Sequence, residues 1–455
     1  MVLGLLQLCC CSAAVAAGLQ TAWAPKACAV SIDLANITNP AVPEASNGCH
    51  FSPLDHQLFY VYSQMVYDES FEQAISEHSD PDRPAPALAD VKAGGTQPGV
   101  SMGWQNLSQG GPGVSWTDDP ARAFNGNVSV TLATGGPPAA AGRVGVASRG
   151  LYHQGYWLQA GREYTGYLAA KADKPTTVTV SLEDWGADPA GAVSRSAVAA
   201  TTLTHPGGGH WLVLNYSLTP TRLVDCTPFP YATPPLYCGL PNSQQGFPAA
   251  LTASCVVCGG TLVVAVEDHP QHDVRAVVSI DQVFLEPGAW GRYKGLHMHK
   301  AAAEWLLHMG TKMLRYGGTF TQTVQGPWES ARGPAWSRPP CTAGKAVGGR
   351  GGCRLTKLAR WTRGWGVLEV LAFCEAAGIH CIVGLASQQT PQQLAEFVEY
   401  LFGDSSSNFG ARRIADGHPQ PYQVRRWPRC SALLRVGATA AVSPCCSRMM
   451  LPPSS

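Results

Sequence analysis

Cysteine spacing gives the first chemical signal of this sequence. Cys255-Val-Val-Cys258 has the spacing of a redox dithiol or of half a zinc site. No second such pair and no cluster of histidines follows at finger-like distance, so neither a metal nor a cofactor is expected. Two other pairs, Cys226 with Cys238 and Cys341 with Cys353, each bracket a loop rich in Pro or Gly. A disulfide there would staple the loop by restricting the unfolded chain. Cys374 and Cys381 lie in apolar helix-to-strand sequence and read as buried thiols. Four Asn-x-Ser/Thr sequons, at Asn36, Asn106, Asn127 and Asn215, occur among only nine asparagines. That is more than composition suggests, and glycosylation is expected at all four.

Thirteen of the sixteen cysteines lie beyond residue 24, which suits an oxidising compartment. Residues 1–24 open with an apolar run and reach Ala22-Trp-Ala24, a small-residue pattern at which a signal peptidase cuts. The start lacks basic residues, which leaves burial of this run in the fold as the alternative. Later apolar runs are too short to span a bilayer. The expectation is a secreted, extracellular protein with no membrane anchor after signal cleavage. A formal charge of +1 with 14% charged residues leaves no electrostatic footprint for nucleic acid.

The elements that must position any site change character along the chain. Between residues 103 and 287, short β-branched runs such as 128–132, 177–182, 211–214 and 261–266 are bounded by Gly, Pro or Asp. That rhythm predicts a β-sandwich or jelly roll. After residue 287, the segment 299–309 reads as a helix with Ala301, Trp305 and Leu306 or His308 on one face. Residues 312–316, closed by Gly317-Gly318, read as a buried strand. A helix over 366–377 with Gly378 as its cap leads into a strand over 380–385, and a further helix runs over 391–402 with Pro391 in its first turn. Helix and strand alternating at this spacing predict a parallel sheet or barrel. From Arg426 onward there is no acidic residue and no periodicity, and an unstructured tail is expected.

Val144-Gly-Val-Ala-Ser-Arg-Gly150, Tyr156-Trp157 and Tyr164-Thr-Gly-Tyr-Leu168 resemble the carbohydrate-binding module inserted in plant-type α-L-arabinofuranosidases of glycoside hydrolase family 51. Ser279-Ile-Asp-Gln-Val-Phe-Leu-Glu-Pro287 resembles the strand leaving that module, Met313-Leu-Arg-Tyr-Gly-Gly318 the family's glycine turn, and Trp328-Glu-Ser-Ala-Arg-Gly-Pro334 its tryptophan loop. Gly366-Val-Leu-Glu-Val-Leu-Ala-Phe-Cys-Glu375, Glu399-Tyr-Leu-Phe-Gly-Asp404, Gly410-Ala-Arg-Arg413 and Asp416-Gly-His-Pro419 continue it. Near the start, residues 48–51 and 62–72 resemble the first barrel strand and the segment after it. The resemblance spans residues 29–425. It implies an α/β plus all-β chain, a partial (β/α)8 TIM barrel interrupted by an inserted β-sandwich of jelly-roll type. The implied boundaries are a signal peptide at 1–24, a first-strand segment at 25–95, the carbohydrate-binding-like sandwich at 96–288, the partial barrel at 289–425 and the tail at 426–455.

The activity this resemblance implies is retaining hydrolysis of terminal arabinofuranose, with an arabinose-containing cell-wall polysaccharide as partner. Such chemistry needs two carboxyl groups about 5 Å apart, delivered by the ends of different barrel strands. The family's acid/base comes from a strand ending in an Ile-Gly-Asn-Glu pattern, and where that strand should begin this chain has Arg426-Trp-Pro-Arg-Cys430. No Asn-Glu dipeptide occurs anywhere. The chain therefore reads as C-terminally truncated relative to the family, with no catalytic pair and little or no turnover. Two rival readings stand beside this one, a non-catalytic glycan-binding protein and a truncated gene product.

The same resemblance nominates binding residues. Arg315 matches the barrel arginine that anchors the sugar site by charge-assisted hydrogen bonds, the alternative being a structural ion pair. Trp328 matches the tryptophan lining the sugar pocket, the alternative being core packing. Thr319 stands where most relatives have an asparagine and still offers a hydroxyl, and Ser52 stands where many place a glutamate. Within the module, Tyr156, Trp157 and Trp185 are the candidates for stacking on glycans.

Overall fold

The computed structural model describes residues 48–51, 61–71, 104–107, 113–119, 121–126, 128–134, 143–150, 155–187, 193–228, 256–267, 276–316, 328–338, 365–384 and 390–423. Residues 1–24, the tail after 423, Asn36, Ser52, Asn127, Cys238, Cys255, Thr319, Cys341 and Cys353 lie outside these described residues.

Strand β1 (Gly48–Phe51) precedes a run of twelve strands: β2 (Trp104–Asn106), β3 (Val114–Asp118), β4 (Val128–Ala133), β5 (Arg143–Ser148), β6 (Tyr164–Lys171), β7 (Thr176–Ala187), β8 (Val193–His205), β9 (Trp211–Leu218), β10 (Cys226–Pro228), β11 (Val256–Cys258), β12 (Gly260–Glu267) and β13 (Val277–Pro287). Ten of these form two five-stranded sheets, ordered β2-β5-β12-β7-β8 and β3-β4-β13-β6-β9, with every pairing antiparallel. Alternate residues face inward, as the two-residue strand period requires. Val128, Val130 and Leu132 thus meet Val178, Val180 and Leu182, and Leu262, Val264 and Val266, in one dry cluster.

Strand β13 departs from that alternation in a useful way. Gln282 takes a left-handed φ of 50°, and the pairing with β6 slips between Asp281 and Phe284, a β-bulge. Before the bulge Val278 and Ile280 face the sandwich core, and after it Val283 and Leu285 do. Phe284 is thereby turned into the second hydrophobic cluster, that of the helical part. An unbroken pleat would instead have driven Phe284 and the Glu286 carboxylate into the sandwich interior. The buried Asp281 carboxylate holds the bulge, accepting from the backbone N–H of Gln282 (2.7 Å), Phe124 (3.0 Å) and Asn125 (3.2 Å).

After β13 come α1 (Lys300–His308), β14 (Met313–Tyr316), α2 (Val367–Ala377), β15 (His380–Val383), α3 (Pro391–Phe402) and α4 (Asn408–Ala415). The three strands pair in parallel in the order β1-β14-β15, so β1 reaches its partner across the entire inserted sandwich. The described residues contribute three parallel strands to this sheet. Gly378, at φ 68°, ends α2 in the left-handed conformation that a Cβ disfavours. Thr390 and Gln393 cap α3 reciprocally, and Pro391 occupies its first turn. The fully buried Arg413 donates to the carbonyls of Tyr400 (2.9 Å), Gly403 (2.8 Å) and His418 (3.0 Å), closing the end of α3.

Several expectations change. The face of α1 that packs inward carries Ala303 and Leu306, while Trp305 is 60% exposed. Arg315 makes β14 a strand buried on one side only. Cys226 bonds to Cys258, not to Cys238, because the antiparallel register of β10 and β11 sets these two cysteines opposite each other. That bond also removes Cys258 from any Cys-x-x-Cys chemistry. Asn106, only 7% exposed and paired with Val146 in β2, has no room for a glycan, whereas Asn215 stands exposed on β9. Cys374 is a buried free thiol and Cys381 a half-buried one. Among the described residues no helix is long and apolar enough to cross a membrane.

Peptide mapping without reduction is expected to recover Cys226 linked to Cys258, and a Cys226–Cys238 peptide would contradict the register of β10 and β11. At the bulge, Gln282→Val adds a branched side chain to a left-handed position and should be less stable than Gln282→Gly by about 1–2 kcal/mol, measured by urea unfolding.

Candidate functional site

The sandwich and the parallel sheet meet along β13 and the segment 61–71. Leu285 donates to the Gln64 side chain (3.0 Å) and accepts from the Met65 N–H (2.7 Å), and the Val283 N–H donates to the Glu69 carbonyl (2.7 Å). Glu286, past the bulge and on the side of the helical part, gathers the Ser63 hydroxyl (2.6 Å), the Arg292 guanidinium (2.9 Å) and His297 Nδ1 (2.9 Å). A second tie is Asn125, whose Nδ2 donates to the Trp336 and Arg338 carbonyls at 2.7 and 2.8 Å.

Between these ties lies a cavity of ≈730 Å³. Tyr62, Tyr167, Phe284 and Trp365 give it aromatic walls, and Arg338 and His297 reach its rim. The Tyr167 and Phe284 rings stack at 4.8 Å, with Tyr62 tilted against Phe284 at 6.1 Å. Burial pushes both tyrosine hydroxyls well above the ordinary phenol range, so both stay protonated. Neither has a hydrogen-bond partner among the described residues, which leaves two neutral donors at an apolar wall, a pairing suited to a hydroxylated ligand.

The cavity's carboxylates are engaged elsewhere. Glu369 is held by Arg338 and by the Gly366 N–H (2.7 Å). Asp416 takes a two-pronged contact from Arg332 (2.6 and 3.0 Å) and the Tyr400 hydroxyl (2.9 Å). Near Tyr422, Glu375 meets His418 Nε2 (2.7 Å) and the Gln423 N–H (2.6 Å). These pairs fix loops; none is an open couple of acid and nucleophile. Among the described residues no group of three or more His, Cys, Asp and Glu side chains is placed to hold a metal.

The nominated residues fare unequally. Arg315 is exposed, level with Ile382 on one face of the parallel sheet. The other face, with Leu314, Cys49 and Cys381, belongs to the second hydrophobic cluster. Trp328, in contrast, is 3% exposed. Its ring is enclosed by Phe397, Tyr400 and Phe409, and its Nε1 donates to the Gln393 carbonyl (2.9 Å). No indole face is left for a sugar, and its role is core packing. Trp185 is likewise buried, its Nε1 on Glu183 (2.8 Å) and one face under the Arg195 guanidinium at 4.3 Å. Tyr156 is buried with its hydroxyl on Ser148 (2.9 Å), whereas Trp157 is 49% exposed. Tyr62, Tyr167 and Arg338 were not legible as site residues, since only the junction of two distant segments brings them together.

Residues 305–428 match the α-L-arabinofuranosidase 1 domain. That stretch of the chain is arabinofuranosidase-related. AbfB, a family 51 α-L-arabinofuranosidase from Bifidobacterium longum, aligns at 16% identity and TM-score 0.24 over 31% of this chain and 24% of its own. The Thermotoga maritima α-L-arabinofuranosidase arabinose complex aligns at 20% identity and TM-score 0.23 over 31% of this chain and 26% of its own. The CBM22-2 xylan-binding domain from Paenibacillus barcinonensis Xyn10C aligns at 16% identity and TM-score 0.24 over 41% of this chain and 91% of its own. The chain thus spans about a quarter of each arabinofuranosidase and most of the xylan-binding domain. No curated protein matches it.

Burial raises the Asp416 carboxyl, but hydrogen bonds from Arg332 and Tyr400 outweigh this and hold it below the usual carboxylate range. A depressed folded-state value contributes stability that is present above the unfolded value of about 3.9 and lost as pH falls through the folded value. Asp416→Asn is therefore expected to flatten the fall of the urea midpoint below about pH 4, and an unchanged slope would show the contact to be without weight.

Proposed function

We propose that this chain is a family 51, plant-type arabinofuranosidase polypeptide that holds arabinose-containing polysaccharide outside the cell without hydrolysing it. The observation that carries this reading is the match of residues 305–428 to the α-L-arabinofuranosidase 1 domain, supported by Arg315 standing exposed on the face of the parallel sheet opposite the second hydrophobic cluster. In a (β/α)8 barrel interrupted by the sandwich, that face is the lumen side. There Arg315 donates charge-assisted hydrogen bonds to sugar hydroxyls. Two observations support the absence of turnover: the sequence has no Asn-Glu dipeptide, and the carboxylates of Glu369, Asp416 and Glu375 are held by Arg338, Arg332 and His418 respectively, each with a further donor. A polypeptide that also carried the missing pair would release terminal arabinofuranose by double displacement.

The purified chain should be retarded in gels containing arabinan or arabinoxylan, yet release no aryl alcohol from an aryl arabinofuranoside above the buffer rate. Turnover at the ordinary enzymatic scale, roughly 1–10³ per second, would overturn the inactivity. Failure to bind any arabinose-containing polysaccharide would overturn the reading itself.

A further inference from the structure

A second concavity lies on the other side of Tyr62, between the sandwich loop at 155–159 and the first turn of α1. Its volume of ≈550 Å³ falls within the small-ligand range of roughly 300–1,000 Å³. One wall is Trp157, and its exposure is imposed by the backbone around it. Tyr156 exchanges two hydrogen bonds with Gly260 (2.8 and 3.0 Å), and Leu158 exchanges two with Val224 (3.1 and 2.9 Å). Both neighbours therefore point inward, and the intervening indole must point out. Gly155, at φ 82°, lets this loop approach so closely that a Cβ there would sit 1.8 Å from the Cys258 carbonyl oxygen. The platform is thus held in place by the fold.

The groove's deep polar group is Gln64, which is 4% exposed. Its Oε1 accepts from the backbone N–H of Leu285 (3.0 Å) and Val66 (3.4 Å), and this fixes which end of the amide is which. The Nε2 end has no partner among the described residues, although the residue lines the groove. The N–H₂ is not sealed in the interior; it reaches the groove, oriented by the two backbone bonds to Oε1 and available to donate to a ligand. His299 lines the same space; its main chain is tied to Val61 (2.8 Å), and its ring has no hydrogen-bond partner among the described residues. At the rim Lys300 and Glu304 stand 3.9 Å apart and balance each other's charge.

We propose that this groove is a subsite for one uncharged glycosyl unit of a polysaccharide, with Trp157 stacking on the sugar ring and Gln64 and His299 bonding its hydroxyls. An indole face suits the C–H face of a sugar, and neutral donors and acceptors suit its hydroxyls. The balanced rim gives no net attraction for a uronic acid. Trp157 comes from the sandwich, Gln64 from the segment after β1, and His299 from the start of the helical part, so the subsite exists only where the two parts are joined. The inference rests on the glycan reading above and adds to it a place of binding separate from Arg315.

The test is isothermal titration of the full chain with arabinan and arabinoxylan, with polygalacturonate as the charged comparison. Gln64→Glu keeps an acceptor oxygen for both backbone N–H groups and replaces the free N–H₂ by a second carboxylate oxygen, and Trp157→Ala alters an exposed side chain. Each is expected to weaken binding of the neutral glycans at least about tenfold, while Trp305→Ala, at a still more exposed tryptophan outside the groove, leaves it unchanged. If the unmodified chain binds and both groove variants bind as it does, the subsite is refuted and the proposed function stands. Absence of binding by the unmodified chain defeats both, and preference for polygalacturonate refutes the neutral-sugar assignment. If Gln64→Glu does not fold, Trp157→Ala against Trp305→Ala decides alone.

Discussion

The molecule depends on a buried carboxylate, that of Glu286. It sits at the end of the strand that leaves the sandwich and draws together a hydroxyl from before the insertion and two cationic or imidazole groups from after it. An ion taken out of water needs excellent geometry to be tolerated, so the three donors and the strand must arrive together. The one-residue bulge at Gln282 makes that arrival possible, because it exchanges the faces of β13 half-way along. One strand thereby supplies valine and leucine to one core and phenylalanine and glutamate to the other.

Much of the local structure was legible in the sequence. The β-branched runs became strands, Pro391 began α3, and Gly378 ended α2, because these signals act through the backbone of the residue that carries them. What could not be read was set by contacts between distant segments. Trp328 keeps its place in the motif, but a motif cannot say that α3 and α4 close around the indole. The cysteine pairing failed for the same reason. Cys238 is nearer in sequence, but the register of two short strands selects Cys258. The bulge left no sequence signal, since Gln is an unusual occupant of a left-handed position.

The two concavities at the junction share Tyr62 as a wall, and they differ in chemistry. The larger has two arginine–carboxylate pairs and a histidine–carboxylate contact that brace loops 328–338 and 416–423, beside its aromatic walls. The smaller has one protruding indole and unpaired neutral polar groups. Function in this chain is therefore better sought where its two architectures touch than in either alone, since each wall needs side chains from both.

The placement of β1 beside β14 bears on how the chain reaches its final form. These neighbours are separated in sequence by the whole sandwich, so their contact carries the entropy of closing a very long loop and belongs to the slow class of long-range pairings. A folded sandwich removes most of that entropy by delivering its two ends to the same place. The insertion thus serves as a scaffold for assembly, and β1, made before the sandwich, cannot meet β14 until more than two hundred further residues have been made.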